Sequence, residues 1–252
     1  MPPCYCRPSY NASRWAAWDV TAGTEDMNYP MTNAGNQDPS NPAKSVGTVL
    51  TARATFATAQ PIAIAQFVMH NLAGRLITIS NSAGLVASLT PGPNTRDGFP
   101  EFSWVDLRNF ASNSGTWWTF AMTVSTGVVH VGEIVLWTEV NFLPLLWKVQ
   151  HGPRRLAHRN VTDWGYEHYY DRGIRERVIE GNIIDGDYRQ AILDLEADAH
   201  GCVKQWPLIL EDDTRDSYWV RFQEDELMTG RDAPRITRIS FDVQETGLGL
   251  AP

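Results

Sequence analysis

Short runs in which apolar and polar residues alternate dominate residues 46 to about 140. In TWWTFAMTVS the bulky residues Trp118, Phe120 and Met122 alternate with Thr119 and Ala121. A period of two is typical of a strand with one buried face. Further runs, each bounded by Gly, Pro, Asn or Ser, occur at GTVLTARATF, RLITISNS, FSWVDLR and VVHVGEIVLW. Many short strands without intervening helices predict a β-sandwich.

The segment PIAIAQFVMH is apolar at successive positions rather than at alternate ones. This pattern is typical of a strand that is buried on both faces. We therefore expect this strand to lie in the centre of its sheet, with a packed layer on each side.

Residues 1 to about 45 are rich in Asn, Pro, Gly and Thr. These residues favour turns, because Asn and Gly tolerate positive φ and Pro fixes φ. We predict an irregular N-terminal segment. A calcium-binding loop is an alternative role for its oxygen-bearing side chains, although their spacing does not match an EF-hand and solvated turns are the simpler interpretation. The residues concerned are Asp19, Asp26, Asn36 and Asp38.

The pattern changes at NFLPLLWKVQHGPRR, where proline and glycine indicate a boundary. Beyond it we expect a strand, an arm, a strand, one helix and further strands. The helix, DYRQAILDLEADAH, carries one apolar stripe formed by Tyr188, Ile192, Leu195 and Ala199. The sequence thus predicts a β-sandwich domain over residues 1–143, which includes the irregular segment. A small α+β domain, an antiparallel sheet with one helix, is predicted over residues 144–252.

Composition and charge narrow the function classes. With 43% hydrophobic and 20% charged residues, the chain is typical of a globular protein. The formal net charge of −8 disfavours stable nucleic-acid binding, because an acidic chain repels phosphates. The sequence has no run of 18 apolar residues and no polybasic patch, so we expect no membrane association. We recognise no signal peptide and expect synthesis in the cytoplasm.

The sequence contains no recognisable catalytic constellation. It has no G-x-S-x-G motif and no glycine-rich phosphate loop, and the acidic residues 211–213 are typical of a solvated turn. His70 ends an apolar strand, where a hydrogen-bonded histidine is commoner than a catalytic one. Cys4, Cys6 and Cys202 are expected to be reduced thiols, with zinc binding as the alternative. We predict a protein that is not an enzyme, with no cofactor and no metal.

The segment PRRLAHRNVTDWGYEHYYDRGIRERV interleaves basic and aromatic residues. Arg, Tyr and Trp often anchor protein interfaces, whereas a similar mixture also binds single-stranded nucleic acid. Acidic residues such as Asp163 and Asp171 dilute the positive charge here. We expect an interface, with a plain sheet and arm, or nucleic-acid binding, as alternatives. The predicted interface residues are Arg154, Arg155, Arg159, Trp164, Tyr166, Tyr169, Tyr170 and Arg172.

Both predicted domains resemble parts of a known family. The strand IRERVIEGNII, the helix DYRQAILDLEADAHG and the strands QWPLILEDD, YWVRFQ and ISFDVQE are similar to the C-terminal domain of tail-tip proteins from long-tailed bacteriophages. The stretches YPMTNAGNQDPSNPAKS, PIAIAQFVMHNLAGRLITISNSAGL, TWWTFAM and VGEIVLW resemble the jelly-roll, galactose-binding-like domain of the same kind of protein.

This resemblance implies a distal-tail or minor-tail protein of the virion, made in the host cytoplasm. Such a protein forms a ring that joins the tail tube to the hub or fibres, with a hexamer favoured and a trimer as the alternative. The implied partners are further copies of the chain, the tail tube protein and hub or fibre proteins. The alternative function is a carbohydrate-binding module for host attachment. Its candidate sugar-binding residues are Trp104, Arg108 and Trp117.

Overall fold

The computed structural model describes residues 4–36, 41–92, 102–142, 150–161, 167–184, 189–200, 204, 206–209, 217–222, 228–233 and 236–245. The described chain is mainly β. Its first ten strands are β1 (Cys4–Tyr5), β2 (Ala17–Glu25), β3 (Ala43–Pro61), β4 (Ile64–His70), β5 (Ile77–Asn81), β6 (Val86–Leu89), β7 (Phe102–Asp106), β8 (Ser114–Thr123), β9 (His130–Trp137) and β10 (Asn141–Phe142). The later elements are β11 (Gln150–Val161), β12 (Glu167–Ile184), α1 (Arg189–Ala199), β13 (Trp206–Ile209), β14 (Ser217–Phe222), β15 (Met228–Ala233) and β16 (Ile236–Glu245).

Strands β2 to β9 form the jelly-roll β-sandwich that the sequence predicts. One layer has the order β2-β3-β8-β5-β6, and the other has the order β9-β4-β7. Strand β3 links the two layers, because residues 43–44 pair with β9 whereas residues 49–61 pair with β8. Trp118, Phe120 and Met122 are buried in the core between the layers, as the alternation in β8 predicts. The predicted fold class is confirmed.

Strand β4 is buried on both faces, which confirms the prediction made from its continuous apolar pattern. Ala65 and Phe67 lie in the core of the sandwich. Ile64 and Val68 belong to a second apolar cluster on the opposite face of the same layer. This second cluster must therefore be covered by another part of the molecule.

A second sheet supplies that cover. Its strands follow the order β10-β1-β13-β14-β16-β12-β11, and β15 pairs with β16. The helix α1 buries Ile192, Leu195 and Ala199, as its apolar stripe predicts, whereas Tyr188 lies outside the described residues. None of the described helical residues form a segment long and apolar enough to cross a membrane.

The N-terminal segment is more regular than its composition predicted. Strand β1 lies between β10 and β13, with Cys4 opposite both Phe142 and Ile209. Residues 17–25 form β2 along β3, while Pro8–Tyr10, Ala12–Trp15 and Met31–Gly35 form short 3-10 helices. The prediction of an irregular segment was wrong for both strands. Each strand is defined by pairing with residues outside its own segment, and the local composition carries no information about that pairing.

The order of the strands makes the sandwich an insertion into the second sheet. The chain leaves the second sheet after β1 and returns to it in β10, and these two strands are direct neighbours. Inserted domains commonly have ends that lie close together in this way. The predicted boundary at residue 143 stays a prediction, but the pairing assigns β1 and β10, which precede it, to the second sheet.

Candidate functional site

A shared apolar cluster, which we call the junction, joins the sandwich to the second sheet. Every member is at most 6% exposed. The sandwich contributes side chains from β4, β7 and β9, and the second sheet contributes side chains from β1, the residue after it, and β13. The junction consists of Cys4, Cys6, Ile64, Val68, Trp104, Val135, Trp137 and Ile209. Dry packing of this kind fixes the sandwich against the second sheet.

Strand β1 contributes to packing on both of its faces. Cys4 and Cys6 enter the junction, whereas the ring of Tyr5 meets Trp206 edge to face at 6.0 Å. The Tyr5 hydroxyl donates a hydrogen bond to the Ala191 carbonyl of α1 at 3.2 Å. Burial raises the pKa of Tyr5 to about 12. A strand of two residues thus connects the junction to the helix on the opposite side of the sheet.

The two described cysteines are buried and are not joined in a disulfide. Burial raises the pKa of the Cys6 thiol well above its usual range, because desolvation disfavours the thiolate. This setting agrees with the expectation of reduced, unreactive thiols, while Cys202 lies outside the described residues. Among the residues that are described, no group of three or more His, Cys, Asp or Glu is arranged to hold a metal ion.

The expected calcium ligands are placed as turn and surface residues where they are described. The Asp26 carboxylate accepts the backbone N–H of Asn28 at 2.9 Å, which closes a local turn. Asp19 is exposed on β2. Asp38 lies outside the described residues. The geometry therefore favours the simpler interpretation of solvated turns.

His70 forms a buried hydrogen bond with Ser103, and its tautomer argues against catalysis by this pair. Its Nδ1 accepts the Leu72 backbone N–H at 3.1 Å, so the ring proton of the neutral form is on Nε2. Nε2 then donates to Ser103 Oγ, 2.8 Å away. A general base would need Nε2 free to accept the serine proton. The pair is therefore a structural bond at the end of a strand.

Trp104 does not lie where a sugar-stacking residue must lie. It is 6% exposed and belongs to the junction. A pyranose ring stacks on an aromatic face that is open to solvent, and the sandwich and the second sheet together cover this side chain. The sequence identified an aromatic residue on β7, but the face of β7 that meets the second sheet depends on packing that local sequence does not encode.

The Arg108 guanidinium is already bound by groups within the protein. Its Nε and Nη2 donate to the two carboxylate oxygens of Asp106, at 3.0 and 2.7 Å. Partial burial alone would raise the pKa of Asp106, but the hydrogen bonds from Arg108 hold that pKa below its usual value. The guanidinium also lies 5.2 Å from the centre of the Phe142 ring. Arg108 thus links the end of β7 to β10.

Trp117 remains a geometrically suitable sugar-binding candidate. It is partly exposed on β8 and faces outward, because its neighbour Trp118 points into the core. The Arg53 guanidinium lies 5.0 Å from the centre of a Trp117 ring, a cation–π contact. Thr55 is the cross-strand partner of Trp117, and Asp19 is the partner of Arg53. We call this set of four residues the outer face.

The structure does not bring the three sugar-binding candidates together. Trp117 lies on one layer of the sandwich and faces outward, whereas Trp104 lies on the other layer and faces the junction. Sequence analysis missed Arg53. The signal was present in TARAT, because Arg53 alternates with the buried residues Ala52 and Ala54 and so must face outward.

The predicted interface residues fall on a long β-ribbon. Strand β11 pairs with β12 along its whole length, from Gln150 opposite Glu180 at one end to Val161 opposite Glu167 at the other. Strand β16 pairs with β12 only at residues 177–184, so the described residues provide no third strand beyond that point. We call β11 residues 154–161 and β12 residues 167–176 the arm. It carries Arg154, Arg155, Arg159, Tyr169, Tyr170 and Arg172, whereas Trp164 and Tyr166 lie outside the described residues.

Comparison with solved structures matches about half of the chain at low sequence identity. No protein-family model matches the sequence, and no curated protein sequence is significantly similar to it. A fucose-binding module of Streptococcus pneumoniae matches 51% of this chain and 98% of its own, at 10% identity and a TM-score of 0.41. The lectin domain of lectinolysin, solved with Lewis B antigen, matches 51% and 96%, at 9% identity and a TM-score of 0.40.

A chitosan-binding module from a Paenibacillus sp. IK-5 chitosanase/glucanase, solved with chitotriose, matches 50% of this chain and 99% of its own. Its identity is 14% and its TM-score is 0.40. These structural neighbours are carbohydrate-binding modules.

Proposed function

We propose that this protein is a structural subunit of a bacteriophage tail tip that assembles into a ring between the tail tube and the hub or fibres. The arm is the observation that carries the proposal. It extends about 25 Å beyond the last pair with β16, at about 3.3 Å for each residue of β11. An arm of that reach is long enough to contact a neighbouring subunit.

The arm is also a structure that needs a partner. A two-stranded ribbon is marginally stable by itself in water, and the described part of the chain adds no third strand to the arm. Its sequence contains the Arg and Tyr residues that commonly anchor interfaces. Contact with a neighbouring subunit would bury these residues and stabilise the ribbon.

The junction supports the proposed role of a rigid connector. A ring that connects a tube to fibres must keep its domains in a constant orientation, and domains joined by an exposed linker move relative to each other. Here the two sheets share a buried apolar cluster, and β1 and β10 connect them at two neighbouring points. The subunit is thereby built as one unit, with the arm at the edge of the second sheet.

Mass photometry and negative-stain imaging of the purified chain test this proposal. We expect closed rings, with six subunits favoured over three. In a matched variant, residues 157–173 are replaced by Asn-Gly, which closes the ribbon with a two-residue turn just beyond the Arg155–Arg175 pair. This variant should remain folded and monomeric. A wild-type chain that stays monomeric at high concentration and does not bind isolated tail tubes would overturn the proposal.

A second candidate function is carbohydrate binding at the outer face. The partly exposed Trp117 with its stacked Arg53 is the observation that favours it. Sugar-binding sites combine an aromatic face with charged and hydroxyl groups that hydrogen-bond the sugar, and Asp19 and Thr55 lie on the adjacent strands.

A glycan array followed by titration calorimetry tests this second candidate. Binding should weaken at least tenfold in Trp117→Ala, because the variant removes the stacking surface. Trp15→Ala is the matched control, since Trp15 is 61% exposed at another position on the sandwich. An array without hits, or equal affinities for the two variants, would rule out the outer face.

A further inference from the structure

We propose that the next copy of this chain docks at the edge strand β11, through an acidic face of that copy. The contact then joins two different surfaces, head to tail, rather than the same surface twice about a two-fold axis. This inference rests on the proposed ring and names the contact that builds it. Its basis is the position of β11 in the sheet combined with its charge.

Strand β11 is a free edge in the part of the chain that the structure describes. It pairs with β12 on one side along its length, with one irregularity between Arg155 and Ala157. It is the last strand in the sheet order. The backbone N–H and C=O groups on its other side therefore face away from the sheet. Free edges of this length readily accept a strand from another chain.

The charge of β11 selects the kind of surface that docks there. The twelve residues from Gln150 to Val161 include three arginines and two histidines but no Asp or Glu. The whole chain carries a formal charge of −8. Strand β12 brings Glu167, Asp171 and Glu176 beside β11, but the arm as a whole keeps a net positive charge. A basic arm on an acidic protein is attracted to acidic surfaces of further copies of the same protein, and such attraction favours correct orientation during encounter.

The same charge disfavours pairing of β11 with β11 of a second copy. A two-fold axis would place the two strands antiparallel. Every register that pairs the middle of both strands then brings Arg154 or Arg155 opposite or diagonal to an arginine of the other copy. Like charges at such positions destabilise a sheet, and the ribbon already contains one such pair, Arg155 opposite Arg175, so further arginine pairs would add to that cost. The contact therefore joins two different surfaces, and repetition of a heterologous contact closes a ring.

Two triple variants with equal changes in net charge test this inference. The first is R154E/R155E/R159E, which reverses the charge of β11. The control is R14E/R75E/R221E, because these three arginines are exposed at other positions. Mass photometry should find monomers for the first variant at concentrations at which the control forms rings. Circular dichroism and thermal melting establish whether each variant is folded.

A salt titration of the wild-type ring keeps the inference testable if the first variant does not fold. Between about 50 mM and 1 M NaCl the contact should weaken, because salt screens charges that are not fully buried. A ring that is unaffected by salt, or a two-fold dimer, would contradict the inference. So would a first variant that forms rings like the control but loses affinity for single-stranded DNA. If the wild-type chain forms no ring at all, the proposed function fails; if both variants form rings, only the docking edge fails.

Discussion

Arg7 Nε lies 3.0 Å from Asp198 Oδ2, so that an ion pair joins the N-terminal segment to helix α1. The Ser9 hydroxyl donates to the same carboxylate oxygen. Partial burial alone would raise the pKa of Asp198, but the hydrogen bonds from Ser9 and Arg7 outweigh it and lower the pKa. Both side chains of the ion pair are largely shielded from water.

This ion pair predicts an acid-dependent loss of stability. Because the folded-state pKa of Asp198 is lowered, its contribution is complete above the unfolded-state pKa of about 4 and disappears as the pH falls through the folded-state value. Asp198→Asn should lower the unfolding free energy by about 1 kcal/mol at pH 7, and it should weaken the dependence of that free energy on pH below about pH 4. Urea denaturation between about pH 3 and 7 measures both effects. Asp19→Asn, at an exposed position, is the control, and an equal effect there would contradict the prediction.

Trp104 and Trp117, the two tryptophans among the candidate sugar-binding residues, should behave differently in a stability assay. Trp104→Ala opens a cavity in the junction and should lower the unfolding free energy by about 3–5 kcal/mol. Trp117→Ala removes a partly exposed side chain and should cost about 1 kcal/mol or less. Chemical denaturation of both variants provides the comparison. Equal losses would show that Trp104 does not pack between the sheets.

The cysteines of the junction should resist modification in the folded protein. Thiolate is the reactive form, and burial both hides Cys6 and raises its pKa. Iodoacetamide at neutral pH, followed by peptide mass spectrometry, should leave Cys4 and Cys6 unmodified in native protein and modify both in urea. Rapid labelling of native protein at either position would mean that β1 is not held in the sheet.

Tyr5 should ionise later than an exposed tyrosine. Burial raises its pKa to about 12, compared with about 10 for a free side chain. The raised folded-state pKa means that the stability gained from neutral Tyr5 is complete below about pH 10 and is lost as the pH rises towards 12. An absorbance titration at 295 nm of wild type and Tyr5→Phe should differ by one tyrosine that ionises late. A difference centred near pH 10 would contradict the buried position of Tyr5.

The sequence predicted the elements whose burial pattern is local. The alternation around Trp118 located β8, the continuous apolar run at Ile64 located a strand buried twice, and the stripe at Ile192 located α1. Each of these patterns repeats within a few residues, so a short window contains the whole signal.

The sequence did not predict what depends on distant partners. Nothing near Cys4 indicates a strand, because β1 is defined by pairing with β10 and β13. Likewise, nothing in FSWVDLR indicates that Trp104 rather than an outward-facing residue meets the second sheet. Arg53 was overlooked as a candidate because its contact with Trp117 crosses between strands.

The position of β1 has a consequence for the order in which the chain folds during synthesis. Cys4 leaves the ribosome before the whole sandwich, but its partner Ile209 follows only after the sandwich has been made. Strands β2 to β9 pair among themselves, so the sandwich is able to close long before that. Strand β1 must therefore wait without either partner while the sandwich is made, and then with β10 alone until β13 follows. Closing so long a loop costs little more free energy than closing a shorter one, but it delays completion of the second sheet until its later strands, β11 to β16, have been made.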